Sequence, residues 1–192
     1  MPIDSMARRA DAVLVVIDEQ ERLTVAMEHR GPVLAATSRL IRVAALLGVP
    51  VIVTRQYPKG LGDLDSELSP AIEAAERSGV IVGTVDKVAF DCFGEPVFRD
   101  TLRQTGRGQV IIAGMETHIC VAQTALTALR SRLDVHVVAD ACCCRSDSSH
   151  RAAIERLRSA GAVVTTSESV MYELVGEAAT EEFRALLGIV KE

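Results

Sequence analysis

Short apolar runs, rich in valine and isoleucine, recur along the chain and limit the folds that it can adopt. Most of these runs are continuously apolar, as in strands of a parallel sheet that is buried on both faces. The six strand candidates are residues 12–18, 50–55, 79–85, 109–114, 134–140 and 162–166. Helical patterns lie between them, for example at residues 33–47 and 148–160, and residues 178–192 predict one more helix.

The alternation of strands and helices predicts the fold class. It is typical of a three-layer, doubly wound α/β domain with a mostly parallel six-stranded sheet and right-handed crossovers. A chain of 192 residues is most simply one such domain, residues 1–192, because it can bury a core without a metal or disulfide staple. The stretch 56–69 is the longest irregular segment and predicts a loop over a site.

Charge and cysteine content exclude several classes of protein. The net charge is −5 and no long basic cluster occurs, so we expect neither nucleic acid nor a membrane surface as a partner. The chain has no apolar window of membrane-spanning length and no signal-peptide core near its start, which predicts a cytoplasmic protein. Five cysteines, three of them adjacent at 142–144, and no CxxC pair predict reduced thiols rather than disulfides or zinc ligands.

Residues that end the predicted strands are the first candidates for a site. In open α/β sheets, ligands bind outside the carboxyl ends of the strands. Four of the six runs end at such a residue: Asp18, Arg55, Gly114 and Asp140.

Cys120 follows Gly114 in the segment GMETHICVAQTAL and falls near the start of a predicted helix. Thr117 is a suitable N-cap, which would place Cys120 in the first turn, off the apolar stripe of Ala122, Ala125, Leu126 and Leu129. A first-turn position predicts a lowered thiol pKa and N–H groups that can bind an oxyanion. A half-buried, inert thiol is the alternative, and position alone does not choose between them.

Asp18 and Lys87 follow other strands and have two interpretations each. Asp18 can be the general base that takes a thiol proton, or it can cap a loop. Lys87 can be a fixed cation beside a thiolate, or a solvated side chain paired with Asp86.

The three segments together resemble a known family. IDEQ after the first strand, DKVAFDCF after the third and GMETHICV after the fourth resemble the isochorismatase-like cysteine hydrolase superfamily, over residues 12–166. VTRQYPKGLG and VVADACCCRS are most similar to its isochorismatase-domain-containing group. The resemblance implies a catalytic triad of Asp18, Lys87 and Cys120, in which Cys120 attacks a carbonyl carbon.

The resemblance also implies an oxyanion hole and a reaction. A cis peptide is expected between Met115 and Glu116, with the N–H groups of Glu116 and Cys120 facing the developing oxyanion. The implied activity is hydrolysis of a small amide, carbamoyl or imide-like substrate through a thioester, and relatives in the family are dimers or larger. We therefore expect a small-molecule substrate and a homo-oligomer.

The chain departs from the family pattern at one position. Nicotinamidases carry a metal-binding Asp-x-His after the second strand, whereas this chain has TRQYP there, which predicts no catalytic metal and no cofactor. Two alternatives stay open. The chain can be a non-catalytic small-molecule-binding or scaffold member of the fold, or an isochorismatase-type vinyl ether hydrolase that does not use the cysteine.

Further residues near the strand ends are candidates for substrate binding. They are Gln20, Arg55, Tyr57, Phe90 and Phe93, with loop solvation, a subunit contact or core packing as their alternatives. His118 precedes Cys120 by two positions and is expected to point away from it. The thiols at 142–144 are expected to be small buried residues at the rim of the site, with a substrate contact as the alternative.

Overall fold

A parallel six-stranded sheet forms the middle layer of the computed structural model, which describes residues 5–191. Its strands are β1 (Ala12–Ile17), β2 (Val51–Gln56), β3 (Ile81–Lys87), β4 (Gln109–Met115), β5 (Asp134–Cys143) and β6 (Val163–Thr165). Every neighbouring pair is parallel, and the spatial order is β3-β2-β1-β4-β5-β6. The chain is therefore a single α/β domain of the predicted class.

Helices cover both faces of this sheet. They are α1 (Glu21–Thr24), α2 (Arg30–Leu47), α3 (Pro58–Leu61), α4 (Ser69–Arg77), α5 (Pro96–Thr105), α6 (Ala122–Arg130), α7 (Asp147–Ser159), α8 (Ser167–Val175) and α9 (Glu181–Val190). Helices α2, α4, α8 and α9 pack on one face, and α5, α6 and α7 pack on the other. Short 3₁₀ turns at Ser66–Leu68 and Cys92–Gly94 and a π-helical turn at Thr117–Val121 complete the fold.

The alternation of side chains along β1 explains why helices cover both faces. Leu14 and Val16 belong to the core under α2, whereas Val13, Val15 and Ile17 belong to the core under α5 to α7. Since both faces of a central parallel strand are buried, the whole run must be apolar. The first polar side chain of this strand region therefore follows Ile17.

The strand order determines where a ligand can bind. Connections from β1 lead to β2 and β3 on one side, and β4, β5 and β6 lie on the other, so β1 and β4 meet at the topological switch point. Ile17 pairs with Gly114 in this register. Asp18 and the turn that contains Cys120 therefore leave the sheet beside each other.

Most sequence expectations about the fold are confirmed, with local corrections. All six strands occur within a few residues of the predicted bounds, and Gly48 ends α2 in the left-handed conformation. The segment 56–69 is not one irregular loop, because it contains α3 and a 3₁₀ turn. The predicted terminal helix is α9, and residue 192 lies outside the described residues.

No helix among residues 5–191 is both long and apolar enough to cross a bilayer.

The prediction about helix α6 was wrong in detail. Thr117 is not its N-cap: Glu116 precedes the π-helical turn, and the Thr117 hydroxyl contacts His150 Nδ1 at 3.0 Å. The buried residues of α6 are Ala122, Thr124, Ala125 and Ala128. Leu126 and Leu129 are only partly buried. The π-helical turn changes the phase of the helix, which periodicity of the sequence does not show.

Substitution of Gly114 should destabilise the protein. Gly114 has φ of +126°, and a Cβ atom there would lie 2.6 Å from the backbone nitrogen of Ile17. We expect Gly114→Ala to lower the free energy of unfolding by about 2 kcal/mol or more, from backbone strain and overpacking. Urea denaturation measures this change. Gly188→Ala, a position in α9 with no atom within 4 Å of the added Cβ, is the matched control, and an equal effect in both variants would contradict the account.

Candidate active site

A buried ion pair joins the ends of β1 and β3. Lys87 Nζ lies 2.6 Å from Asp18 Oδ2, and both side chains have no exposed surface. Two charges at this depth persist only when each is paired and hydrogen-bonded. The two residues predicted as base and cation are therefore in direct contact.

The two oxygens of the Asp18 carboxylate have different partners. Its Oδ1 accepts a hydrogen bond of 2.7 Å from the hydroxyl of Thr54 in β2. Asp18 has φ of 55°, a left-handed conformation that turns the chain as it leaves β1. Apart from the ion pair, Oδ2 has no hydrogen-bond partner among residues 5–191. That Oδ2 accepts a thiol proton stays a prediction.

Lys87 is fixed by several oxygen atoms. Its ammonium donates to Gln56 Oε1 at 2.5 Å and to the carbonyls of Ala89 and Phe90 at 3.3 and 3.4 Å. Burial lowers the pKa of Lys87, but the negative charge of Asp18 opposes this effect, and the net pKa lies above the ordinary lysine value. The site therefore contains a permanent cation.

Cys120 lies in the π-helical turn between β4 and α6 and is 6% exposed. Burial raises its pKa to about 12; the charge of Asp18 raises it as well, and the charge of Lys87 lowers it. This result corrects the expectation that a first-turn position lowers the pKa of the thiol. Because Cys120 is a protonated thiol at neutral pH, it needs a base before it can act as a nucleophile.

The backbone before Cys120 has the geometry that the family resemblance implied. The Met115–Glu116 peptide bond is cis. The carbonyl oxygen of Glu116 accepts from the N–H groups of Ile119 at 3.0 Å and Val121 at 3.4 Å. The use of the Glu116 and Cys120 N–H groups as an oxyanion hole stays a prediction.

The five predicted substrate-binding residues have different environments. The Gln20 side chain is buried and accepts from the Gln56 N–H at 2.6 Å, so it supports the loop rather than lining open space. Arg55 pairs with Asp86 at 2.7 Å and with Asp63 at 2.8 Å, which engages its charge within the chain.

The three aromatic candidates differ in exposure. Tyr57 and Phe90 are each 54% exposed. Phe93 is partly buried and packs edge-to-face on Phe98 with ring centroids 5.2 Å apart. A groove of about 290 Å³ lies beside Lys87, and Tyr57 and Val88 form part of its wall. Tyr57 is therefore the aromatic candidate that lines a cavity next to the ion pair.

Several buried polar residues near the site were not predicted. Thr54 and Gln56 alternate along β2 with Arg55, and this period of two indicates that they share one face of the sheet.

Cys92 is a second buried thiol near the ion pair. Burial raises its pKa to about 12, Lys87 lowers this pKa and Asp18 raises it. Glu19 lies next to Asp18, and burial raises its pKa to about 8, so this carboxyl is neutral at pH 7. The sequence gives no sign of this burial, because glutamate usually lies at the surface.

Potential metal ligands lie outside this trio. Among residues 5–191, two groups of side chains bring potential ligand atoms within 4.8 Å of one another: Glu116 with His118 and Cys144, and Glu28 with His29 and Asp147. Neither group includes Asp18, Lys87 or Cys120.

Comparison with known proteins identifies the family. A family model described as the isochorismatase domain matches residues 12–169. The chain is 36% identical over 182 residues to the secreted isochorismatase effector Isc1 of Phytophthora sojae, covering 94% of this chain and 85% of that protein. It is 34% identical to isochorismatase domain-containing protein 1 of Salmo salar, covering 95% of this chain and 62% of that protein. The chain belongs to the isochorismatase family.

Solved structures agree with this assignment. A structure of MAR1 ribonuclease from Caenorhabditis elegans has a TM-score of 0.87 and 32% identity, covering 97% of this chain and 93% of that one. The YcaC gene product of Escherichia coli, described as an octameric hydrolase of unknown specificity, has a TM-score of 0.83 and 25% identity, covering 98% and 92%. The predicted resemblance to isochorismatase-domain-containing proteins is confirmed, and the family is consistent with a hydrolase.

Removal of the Asp18 charge should increase ionisation of Cys120. Burial and then Asp18 hold the Cys120 pKa near 12, so Asp18→Asn removes one raising cause and leaves the Lys87 charge to favour the thiolate. We expect at least about tenfold more Cys120 thiolate at a given pH below its pKa. Ultraviolet absorbance of the thiolate measures this, and subtraction of the Asp18→Asn/Cys120→Ser double variant removes the signal of the other thiols. Unchanged or reduced ionisation would contradict the assignment.

Proposed function

We propose that the protein is a metal-independent cysteine hydrolase that cleaves a small amide, carbamoyl or imide-like substrate through a thioester. The observation that carries the proposal is the 2.6 Å ion pair of Asp18 and Lys87. Both charges act on the pKa of the Cys120 thiol: Asp18 raises it and Lys87 lowers it. A buried thiol next to a carboxylate and a fixed cation supports nucleophilic catalysis better than an inert core role.

In the first step, Cys120 Sγ attacks the carbonyl carbon of the substrate. Asp18 Oδ2 takes the thiol proton as the carbon–sulfur bond forms, because a thiol with a pKa of about 12 does not ionise alone at neutral pH. Lys87 keeps the carboxylate in place and balances its charge before the proton arrives. The electron pair of the carbonyl bond moves to oxygen, which becomes an oxyanion.

The N–H groups of Glu116 and Cys120 are the proposed donors to this oxyanion. Both belong to the turn that follows β4, where the backbone leaves the sheet beside Asp18. A single donor of this kind is typically worth about 3 kcal/mol of transition-state stabilisation. Collapse of the intermediate then breaks the carbon–nitrogen bond.

Asp18 returns the proton to the departing nitrogen, so ammonia or an amine leaves and a thioester remains on Cys120. Water attacks the thioester, and Asp18 takes a proton from it. The carbon–sulfur bond breaks, the carboxylic acid leaves, and Cys120 regains its proton. The cycle consumes one water molecule and needs no metal or redox cofactor.

Limited access to the thiol supports a small substrate. Cys120 is 6% exposed, and the groove of about 290 Å³ beside Lys87 is suited to a ligand of few atoms. Tyr57 is the proposed aromatic contact. The other proposed supports of the substrate site are Phe90, Phe93, Gln20 and Arg55. The arginine would act through its ion-pair network instead of as a free cation.

We also propose a homo-oligomer in the cytoplasm. The similar YcaC protein is described as octameric, which supports assembly of this chain into a dimer or larger oligomer. Tyr57 and Phe90 are exposed near the site, and we propose that a second subunit contacts them.

Cys120→Ser should abolish amide hydrolysis while the fold persists. We expect turnover to fall by about 10³-fold or more, because a hydroxyl is far less easily ionised than a thiol in the same site. The protein is incubated with a panel of small amides and carbamoyl compounds, and intact-mass spectrometry follows the acyl adduct on Cys120. Cys142→Ala, which removes another buried thiol, is the matched control and should retain both adduct and turnover.

Isochorismate belongs in the same panel because it separates the alternative functions. Turnover of isochorismate that persists in Cys120→Ser, with no amide turned over, would replace the proposal with vinyl ether hydrolysis. Ligand binding without turnover or adduct across the panel would favour a non-catalytic binding protein.

A further inference from the structure

Three potential metal ligands converge beside the turn that leads to Cys120. Glu116 and His118 belong to the chain between β4 and α6, and Cys144 follows β5 directly. Strands β4 and β5 are neighbours, and Met115 pairs with Cys143 in their register. The sheet therefore brings together residues that are 26 positions apart in the sequence.

The distances between the ligand atoms suit one metal ion. His118 Nδ1 lies 3.1 Å from Cys144 Sγ, and these atoms and a Glu116 carboxylate oxygen all lie within 4.8 Å of one another. In a tetrahedral zinc site with usual bond lengths, sulfur and nitrogen ligands are about 3.5 Å apart. Binding of the ion would therefore need these two atoms to move about 0.4 Å farther apart.

The chemical types of these three ligands favour Zn²⁺ over other metal ions. A thiolate, an imidazole and a carboxylate are the three side chains that bind Zn²⁺ most often, whereas hard ions such as Mg²⁺ and Ca²⁺ prefer oxygen alone. We propose that Glu116, His118 and Cys144 form a Zn²⁺-binding site, with a water molecule at the fourth position. On binding, the Cys144 thiol would lose its proton to solvent as the sulfur–zinc bond forms.

Arg145 forms an ion pair with the Glu116 carboxylate. Its Nε lies 3.1 Å from each Glu116 oxygen, and its backbone N–H donates to Oε2 at 3.0 Å. The Arg145 side chain is 62% exposed, so the guanidinium can move into solvent when the metal ion replaces its charge. The backbone N–H can stay and orient the carboxylate, as outer hydrogen bonds do at zinc sites.

One of the three proposed ligands lies at a groove. Glu116 and Cys144 are buried, but His118 is partly exposed and lines a groove of about 230 Å³ with Ser149 and Arg156. An ion entering through this groove would meet the imidazole first. The site shares no side chain with Asp18, Lys87 and Cys120, so the proposal does not depend on hydrolase activity.

Binding of Co²⁺ to the full reduced chain tests the site, because cobalt replaces zinc and its bond to sulfur has a charge-transfer absorption. We expect one Co²⁺ per chain with this absorption, and displacement of the cobalt by added Zn²⁺. Cys144→Ser should abolish the absorption, and His118→Ala should weaken binding by about tenfold or more. Arg145→Gln should strengthen binding severalfold, because it removes the competing cation without removing a ligand.

Two controls separate this site from other positions. His29→Ala removes the exposed Glu28–His29–Asp147 group, and Cys142→Ala removes a neighbouring thiol; both should keep the sulfur–cobalt absorption. Thermal unfolding without metal shows whether each variant is folded, and His118→Ala tests the site if Cys144→Ser does not fold. Absence of the absorption in the unsubstituted chain, or its persistence in Cys144→Ser, would overturn the proposal.

Discussion

The buried contact between Asp18 and Lys87 is the interaction on which the candidate site depends. The two residues end strands β1 and β3, which are not neighbours, and β2 lies between them. Thr54 and Gln56 of this middle strand hold the carboxylate and the ammonium respectively. Removal of either charge alone would leave the other buried without an opposite charge, which typically costs about 3–5 kcal/mol. The ion pair therefore links the proposed catalytic chemistry to the order of the strands.

Burial, and after it the charges of this contact, determine the protonation state of the Cys120 thiol. With Asp18 ionised and burial nearly complete, Cys120 keeps its proton at neutral pH and is a weak nucleophile before substrate arrives. In the proposed reaction, proton transfer to Asp18 accompanies attack, so the thiol becomes reactive only with a carbonyl carbon in place.

Much of this arrangement follows from the sequence, and the part that does not has identifiable causes. Continuous apolar runs predict the parallel sheet, and the rule that ligands bind at strand ends selects Asp18 and the segment with Cys120. The direction of the Cys120 pKa shift depends on burial and on Asp18, which is distant in sequence. Helix position alone therefore predicted the wrong direction. The convergence of His118 with Cys144 depends on the pairing of β4 with β5, which no local spacing reveals.

The ionisation of Lys87 tests the central claim most directly. The chain has three lysines, Lys59, Lys87 and Lys191, so side-chain nitrogen resonances of labelled lysine can be assigned by substitution and followed with pH. The account predicts that Lys87 stays protonated above the ordinary lysine pKa of 10.5, and that Asp18→Asn lowers its pKa. A Lys87 signal that titrates below 10.5 in the unsubstituted protein, or that does not respond to Asp18→Asn, would contradict the buried ion pair.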